Sequence, residues 1–161
     1  MLRQFNNFVV NGFREQVGAK TTIWCTSTNI WNRVRRQLSK IEFNELWIVK
    51  RTKDIPKEII ELSEHTDVFC ISRKMDEEIK DKLGSKKMPS TGITAVWAAI
   101  QHLPNPISLI GFNGFDKNEN HHYYTTKRDD CPHNGAKEME LLLKWEEEGL
   151  VNFIKSKKFF L

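Results

Sequence analysis

Residues 89–111 place the strongest constraint on how this chain folds. Large apolar side chains recur there at helical spacing, at Ile93, Val96, Trp97, Ile100 and Leu103. Ser90 stands where the N-cap of this helix is expected, and Pro104 and Pro106 prevent the helix from continuing. Residues 107–111 then predict a short buried strand. A helix followed so closely by a buried strand is typical of an α/β sheet.

Short apolar segments alternate with amphipathic segments along the rest of the chain. The predicted strands are 21–26, 43–49, 68–72, 107–111 and 151–154, and the predicted helices are 30–41, 57–63, 75–83, 93–103 and 136–148. Because parallel strands need long crossover connections, this alternation predicts an α/β fold with a mainly parallel sheet between helices. We expect a single Rossmann-like domain over residues 1–161. The chain opens on a loop-like segment, so we expect the first strand of such a domain to be missing.

The charge of the chain favours no nucleic-acid partner. The formal net charge is +4, and the basic residues are spread over several separate segments. No stripe of interleaved aromatic side chains accompanies them, so a solvated surface explains them better than a nucleic-acid interface.

Three cysteines, Cys25, Cys70 and Cys131, stand at unrelated spacings. Cys25 and Cys70 fall in predicted core strands, where a free thiol behaves as a small apolar side chain. No Cys/His pattern offers a zinc site. No apolar run approaches the roughly 20 residues of a membrane span. We therefore expect reduced thiols, no transmembrane segment and a cytoplasmic location, with peripheral membrane association left open.

The start of the helix at 93–103 is a candidate anion site. A cap at Ser90 followed by Thr91 and Gly92 leaves N–H groups of the first turn open to a ligand, and the helix dipole favours negative charge there. The same residues also fit a capped helix that binds nothing.

His133 is a candidate general base. It precedes Asn134, the predicted cap of the helix at 136–148, where the positive end of the helix disfavours a protonated imidazole. A neutral imidazole can accept a proton, although the sequence alone favours a surface or cap histidine at this position. Glu138 lies about 140° around the helix from His133, so we expect it to support the helix start.

Two further candidates come from polar residues in predicted loops. His121 and His122 stand beside Tyr123 and Tyr124, a cluster that can bind or protonate a phosphate or simply pack two tyrosines. Neighbouring carboxylates offer only weak support for a metal site there. The amide of Asn6 can read a base or ribose edge, but a lone asparagine has almost no specificity and is in most cases a turn or surface residue.

Taken in order, these segments resemble the sialyltransferase family of the animal Golgi. PSTGITAVWAAIQHLPNPISLIGF resembles the short motif of that family, and His122-Tyr123-Tyr124 resembles its third motif. The segment from His133 to Glu138 has the spacing of its final His-x4-Glu motif. LRQFNNFVVNGFREQVGAKTTIW resembles the later half of its long motif, with Asn6 as the asparagine after phenylalanine.

The resemblance implies a transferase that moves sialic acid from CMP-sialic acid to an acceptor sugar hydroxyl, with inversion and with no metal or other cofactor. Its partners would be a CMP-sugar donor and a glycan acceptor. His122 would bind or protonate the departing phosphate, and His133 would deprotonate the acceptor hydroxyl. The residues that the resemblance implies for the nucleotide, expected to share one cleft with His122, are Asn6, Ser90, Thr91, Gly92 and Tyr123.

The chain also departs from the family pattern. The first strand and its glycine-asparagine turn are absent, and Pro104 replaces the short-motif cysteine, so the family's cross-link to the long motif cannot form. Other departures are Gln4, Met88 and Thr125. From these departures, and because we expect no membrane anchor, we predict a bacterial or viral member. The alternative is a truncated, non-catalytic nucleotide-binding module of the same fold.

Overall fold

The structure is a computed structural model, and it describes residues 3–5, 21–112 and 133–154. Contacts divide the chain into two compact units, Met1–Glu77 and Glu78–Leu161. The extent of a single domain, 1–161, stays a prediction.

The first unit contains a parallel sheet of four described strands. They are β1 (Arg3–Phe5), β2 (Ile23–Ser27), β3 (Glu45–Val49) and β4 (Asp67–Ile71), in the spatial order β1-β2-β3-β4. Cys25 of β2 pairs with Phe5 on one side and Trp47 on the other. All of β2 and four of the five residues of β3 are buried, as expected for parallel strands covered on both faces.

The predicted helix at 30–41 is wrong as a continuous element. The structure has a 3-10 turn at Thr28–Ile30, one α-turn at Trp31–Val34 (α1) and a second 3-10 turn at Arg35–Gln37. The Thr28 hydroxyl, which precedes the predicted helix, does not cap it and accepts hydrogen bonds from the N–H groups of Arg51 and Thr52, both at 2.9 Å. Without a side-chain cap, and with β-branched and asparagine residues of low helix propensity, a long helix is not favoured.

The core of the first unit forms around β2 and β3. The helix Lys57–Leu62 (α2) contributes Ile59 to it. The buried members of this core are Trp24, Trp31, Val34, Leu46, Ile48 and Ile59.

The division between the units falls within the helix Arg73–Leu83 (α3). The second unit continues with α4 (Thr91–His102), β5 (Ile107–Leu109), α5 (Gly135–Glu147) and β6 (Val151–Phe153). Strands β5 and β6 are parallel, with Ile107 opposite Val151. The buried core of this unit consists of Ile79, Leu83, Ile93, Val96, Ile100, Leu109, Leu142, Trp145 and Val151.

The structure confirms the predicted α/β class, and every strand pairing in the described part of the chain is parallel. One prediction about the core needs correction. Cys25 is buried in β2, but Cys70 is exposed on β4, which is the last strand in the described sheet order and pairs there with β3 alone. Cys131 lies outside the described residues. Among the described helices, none has the length and apolar character that crossing a bilayer requires.

Candidate functional site

The start of α4 is capped as the sequence predicts. The Ser90 hydroxyl accepts a hydrogen bond from the N–H of Ile93 at 3.2 Å. The Ser90 carbonyl in turn accepts from the N–H of Thr94 at 3.3 Å and from its hydroxyl at 3.2 Å. These bonds fix the first turn of the helix on its N-cap residue.

Glu138 completes this cap from the other helix. Its carboxylate is buried, with the residue 4% exposed, and it accepts hydrogen bonds from the Ser90 N–H at 2.7 Å and the Ser90 hydroxyl at 2.6 Å. In a capping box the acceptor for the N-cap N–H comes from the third residue of the same helix. That residue is the apolar Ile93, so a glutamate 48 positions away supplies the carboxylate instead.

The expectation for Glu138 was therefore only half correct. Glu138 does lie in the first turn of α5, but its carboxylate holds the start of α4. The sequence signal that could have indicated this contact is the missing acidic residue at position 93 of an otherwise well-formed cap. That signal shows that an acceptor is needed and does not identify which residue provides it.

His133 is oriented by a backbone carbonyl. Its ring nitrogen Nδ1 lies 2.8 Å from the Met88 oxygen. A carbonyl oxygen can only accept, so Nδ1 carries the proton, and in the neutral ring Nε2 keeps its lone pair. The next residue, Asn134, caps α5 by accepting from the Lys137 N–H at 3.3 Å, as predicted.

The short-motif and His-x4-Glu segments thus meet within the second unit. The Lys87 ammonium group also donates to the His133 carbonyl at 3.4 Å. Two neighbouring lysines, Lys86 and Lys87, are exposed just before the helix start. The start of α4 already holds one negative charge, the buried Glu138 carboxylate, which offsets the effect of the helix dipole and of these lysines on a second anion.

Gly92 is the partly exposed member of the predicted nucleotide-binding triplet, whereas Ser90 and Thr91 are buried. A turn at Gly111, with φ of 75°, precedes Phe112, whose ring covers Gly92. A Cβ at position 92 would lie 3.4 Å from Phe112 Cε1. A larger side chain at position 92 would therefore press on this ring.

The other predicted site residues, Asn6, His122 and Tyr123, lie outside the described residues, so their common cleft with Ser90 stays a prediction. In the described part of the chain no group of three or more His, Cys, Asp or Glu side chains is arranged to hold a metal ion.

The structure thus combines an α/β fold of parallel strands with a histidine hydrogen-bonded beside the capped start of a helix. Comparison with known families identifies the class of protein. The family model described as Glycosyltransferase family 29 (sialyltransferase) matches residues 62–150, more than half of the chain. The chain belongs to this family. No curated protein matches the chain.

The family match confirms the resemblance that the motifs indicated. The matched residues include the capped helix start at Ser90 and the segment from His133 to Glu138. Asn6 lies outside them. Membership identifies the chain as a sialyltransferase-like glycosyltransferase, a class that uses a sugar-nucleotide donor and a glycan acceptor.

Proposed function

We propose that this protein transfers sialic acid from CMP-sialic acid to a hydroxyl group of an acceptor sugar, with inversion and without a metal ion. Family membership supports the general reaction. The observation that carries the assignment of the base is the 2.8 Å contact between His133 Nδ1 and the Met88 carbonyl, because it directs the lone pair of the neutral imidazole to Nε2.

In the proposed reaction the acceptor hydroxyl oxygen attacks the anomeric carbon of the donor. His133 Nε2 takes the hydroxyl proton as the new carbon–oxygen bond forms. The bond between the anomeric carbon and the phosphate oxygen breaks, and CMP leaves with the electron pair of that bond. A single displacement inverts the anomeric carbon. Because CMP is a good leaving group, positioning and one base supply the main catalytic effects.

The start of α4 is the proposed site for the donor phosphate. The N–H of Gly92, in the first turn, has no acceptor within the helix, and the helix dipole and Lys87 offset the negative charge of the buried Glu138 carboxylate at the same helix start. The nucleotide contacts proposed for Asn6, Ser90, Thr91 and Tyr123, and the phosphate contact of His122, rest on the motif resemblance.

Replacing the base tests this assignment. The His133→Ala variant is expected to transfer sialic acid about a hundred- to ten-thousand-fold more slowly than the wild type, because a positioned base contributes about that factor. Its affinity for CMP, measured by titration calorimetry, should change little, since the base acts on the acceptor. His65→Ala, at an exposed histidine of the first unit, is the matched control and should leave transfer unchanged.

Several outcomes would contradict the proposal. Equal transfer rates for His133→Ala and the wild type would reject the base. Loss of transfer after treatment with a chelator, restored by added metal, would reject the metal-free route. A wild-type chain that binds CMP without transferring sialic acid would favour the non-catalytic nucleotide-binding module, and a chain that does not bind CMP would reject both functions.

A further inference from the structure

The first and last residues of the His-x4-Glu segment, His133 and Glu138, each form a hydrogen bond to the segment 88–90 at the start of α4. His133 donates to the carbonyl of Met88, and Glu138 accepts from the N–H of Ser90. Between these two groups stands Pro89, which has no N–H and whose ring fixes its φ angle. The segment 88–90 is therefore short and conformationally restricted, and a hydrogen bond holds it at each end.

The spacing of the His-x4-Glu segment has a physical explanation in this arrangement. His133 lies just before the cap residue Asn134, and Glu138 lies one turn into α5. The intervening cap and first turn set the separation of the two side chains. Because both hydrogen bonds form, this spacing lets His133 contact the Met88 carbonyl while Glu138 contacts the Ser90 N–H, two residues further along the chain.

We propose that Glu138 is a positioning residue for His133, acting through Ser90 and the segment 88–90. By holding the N–H and hydroxyl of Ser90, the Glu138 carboxylate fixes the place of the Met88 carbonyl. The Met88 carbonyl in turn favours the ring tautomer with the proton on Nδ1, in which Nε2 carries the lone pair. The effect of Glu138 on catalysis rests on the proposed function, whereas the link from Glu138 through Ser90 and Met88 to His133 rests on the hydrogen bonds alone.

The chemistry of the contact suits this role. A carboxylate can accept from the Ser90 N–H and from the Ser90 hydroxyl at once, as the 2.7 and 2.6 Å distances indicate. Glutamine keeps one acceptor oxygen but presents a donor in place of the other, and alanine removes both acceptors. The Ser90 hydroxyl cannot turn away freely, because it also accepts from the Ile93 N–H.

The first test reads the His133 tautomer by nitrogen-15 NMR of the full 161-residue chain, with His133→Gln used to assign the ring signals. In the wild type, the neutral ring should carry its proton on Nδ1. Glu138→Ala and Glu138→Gln should both shift the population towards the Nε2–H tautomer, alanine the more strongly. Glu140→Gln, at an exposed glutamate of the same helix, should leave the population unchanged.

The tautomer measurement decides the proposal even if the chain transfers no sugar. An unchanged His133 tautomer in a folded Glu138→Gln or Glu138→Ala protein would overturn it. If Glu138→Ala fails to fold, Glu138→Gln, which keeps the size of the side chain, gives the answer.

The second test is kinetic. Glu138→Gln should lower kcat by up to about a hundredfold, the effect of a misplacement of about 1 Å. In a His133→Ala background the same substitution should lower kcat little further, because the base that it positions is already absent. Equal losses in both backgrounds would show a structural effect and would overturn the proposal. Transfer that survives His133→Ala would instead reject the proposed function, with the tautomer measurement still deciding the link from Glu138.

Discussion

Each unit of the protein buries a carboxylate in the first turn of a helix, but the two carboxylates have different partners. In the first unit, Asp76 of α3 is 8% exposed and binds the guanidinium group of Arg51 through two contacts, at 2.8 and 3.0 Å. In the second, Glu138 of α5 accepts two hydrogen bonds from the neutral groups of Ser90. The difference lies in what each contact fixes.

In the Arg51–Asp76 pair, the positive charge of the guanidinium group compensates the negative charge of the carboxylate. The side chain of Arg51 is 4% exposed, so the pair is withdrawn from water, and each ion depends on the other for its stabilisation. Glu138 depends on the exact course of the backbone at Ser90, because one of its donors is a main-chain N–H. Breaking the ion pair would destabilise the fold, because it would remove a compensating charge. The hydrogen bond from the Ser90 N–H to Glu138 also restrains the position of the backbone at Ser90.

The largest effect on stability is expected from Arg51→Ala. The substitution removes the arginine whose charge compensates the buried Asp76 carboxylate, and breaking such a pair costs about 3–5 kcal/mol of the free energy of unfolding. Urea unfolding would measure it. Lys57→Ala, which breaks an exposed pair with Glu61, is the control. A loss below about 1 kcal/mol for Arg51→Ala would contradict the comparison, because the pair would then behave as a surface contact.

Ser90→Ala should have an intermediate effect. It removes the cap of α4 and one of the two donors to Glu138, for a loss of about 1–2 kcal/mol by urea unfolding. Ser63→Ala, at an exposed serine whose hydroxyl donates to the Ile60 carbonyl at 2.6 Å, should change stability by about 0.5 kcal/mol or less. If the two variants lose the same amount, the contact with Glu138 contributes nothing to stability.

The smallest effect is expected from Arg73→Ala, which also removes an arginine from a carboxylate. Its partner, Glu77, lies one turn away on α3, and the two side chains are 72% and 61% exposed. Water screens this pair, so the loss should be about 0.3–0.5 kcal/mol, and added salt should reduce it further. A loss as large as that of Arg51→Ala would show that burial does not explain the difference between the two arginines.

The helices that could be predicted well are those with their signals close together in the sequence. α4 has its cap at Ser90 and its stop at Pro104, and α5 has its cap at Asn134 and its stop at Gly149. Every one of these signals acts within a turn of the helix end that it defines. The prediction of a helix at 30–41 was wrong. The Thr28 hydroxyl does not cap it, because it accepts hydrogen bonds from N–H groups of Arg51 and Thr52, more than twenty residues away.

The sequence by itself determined the alternation of strands and helices, the cap of α4, the position of His133 before the cap of α5, and the motifs of the family. These features depend on side-chain spacing and on contacts within a few residues. Only the tertiary structure decided that Glu138 holds Ser90 and that the Met88 carbonyl orients His133. Both contacts join residues more than forty positions apart, so they exist only after α4 and α5 have packed, and no local rule specifies which distant group will satisfy a buried donor.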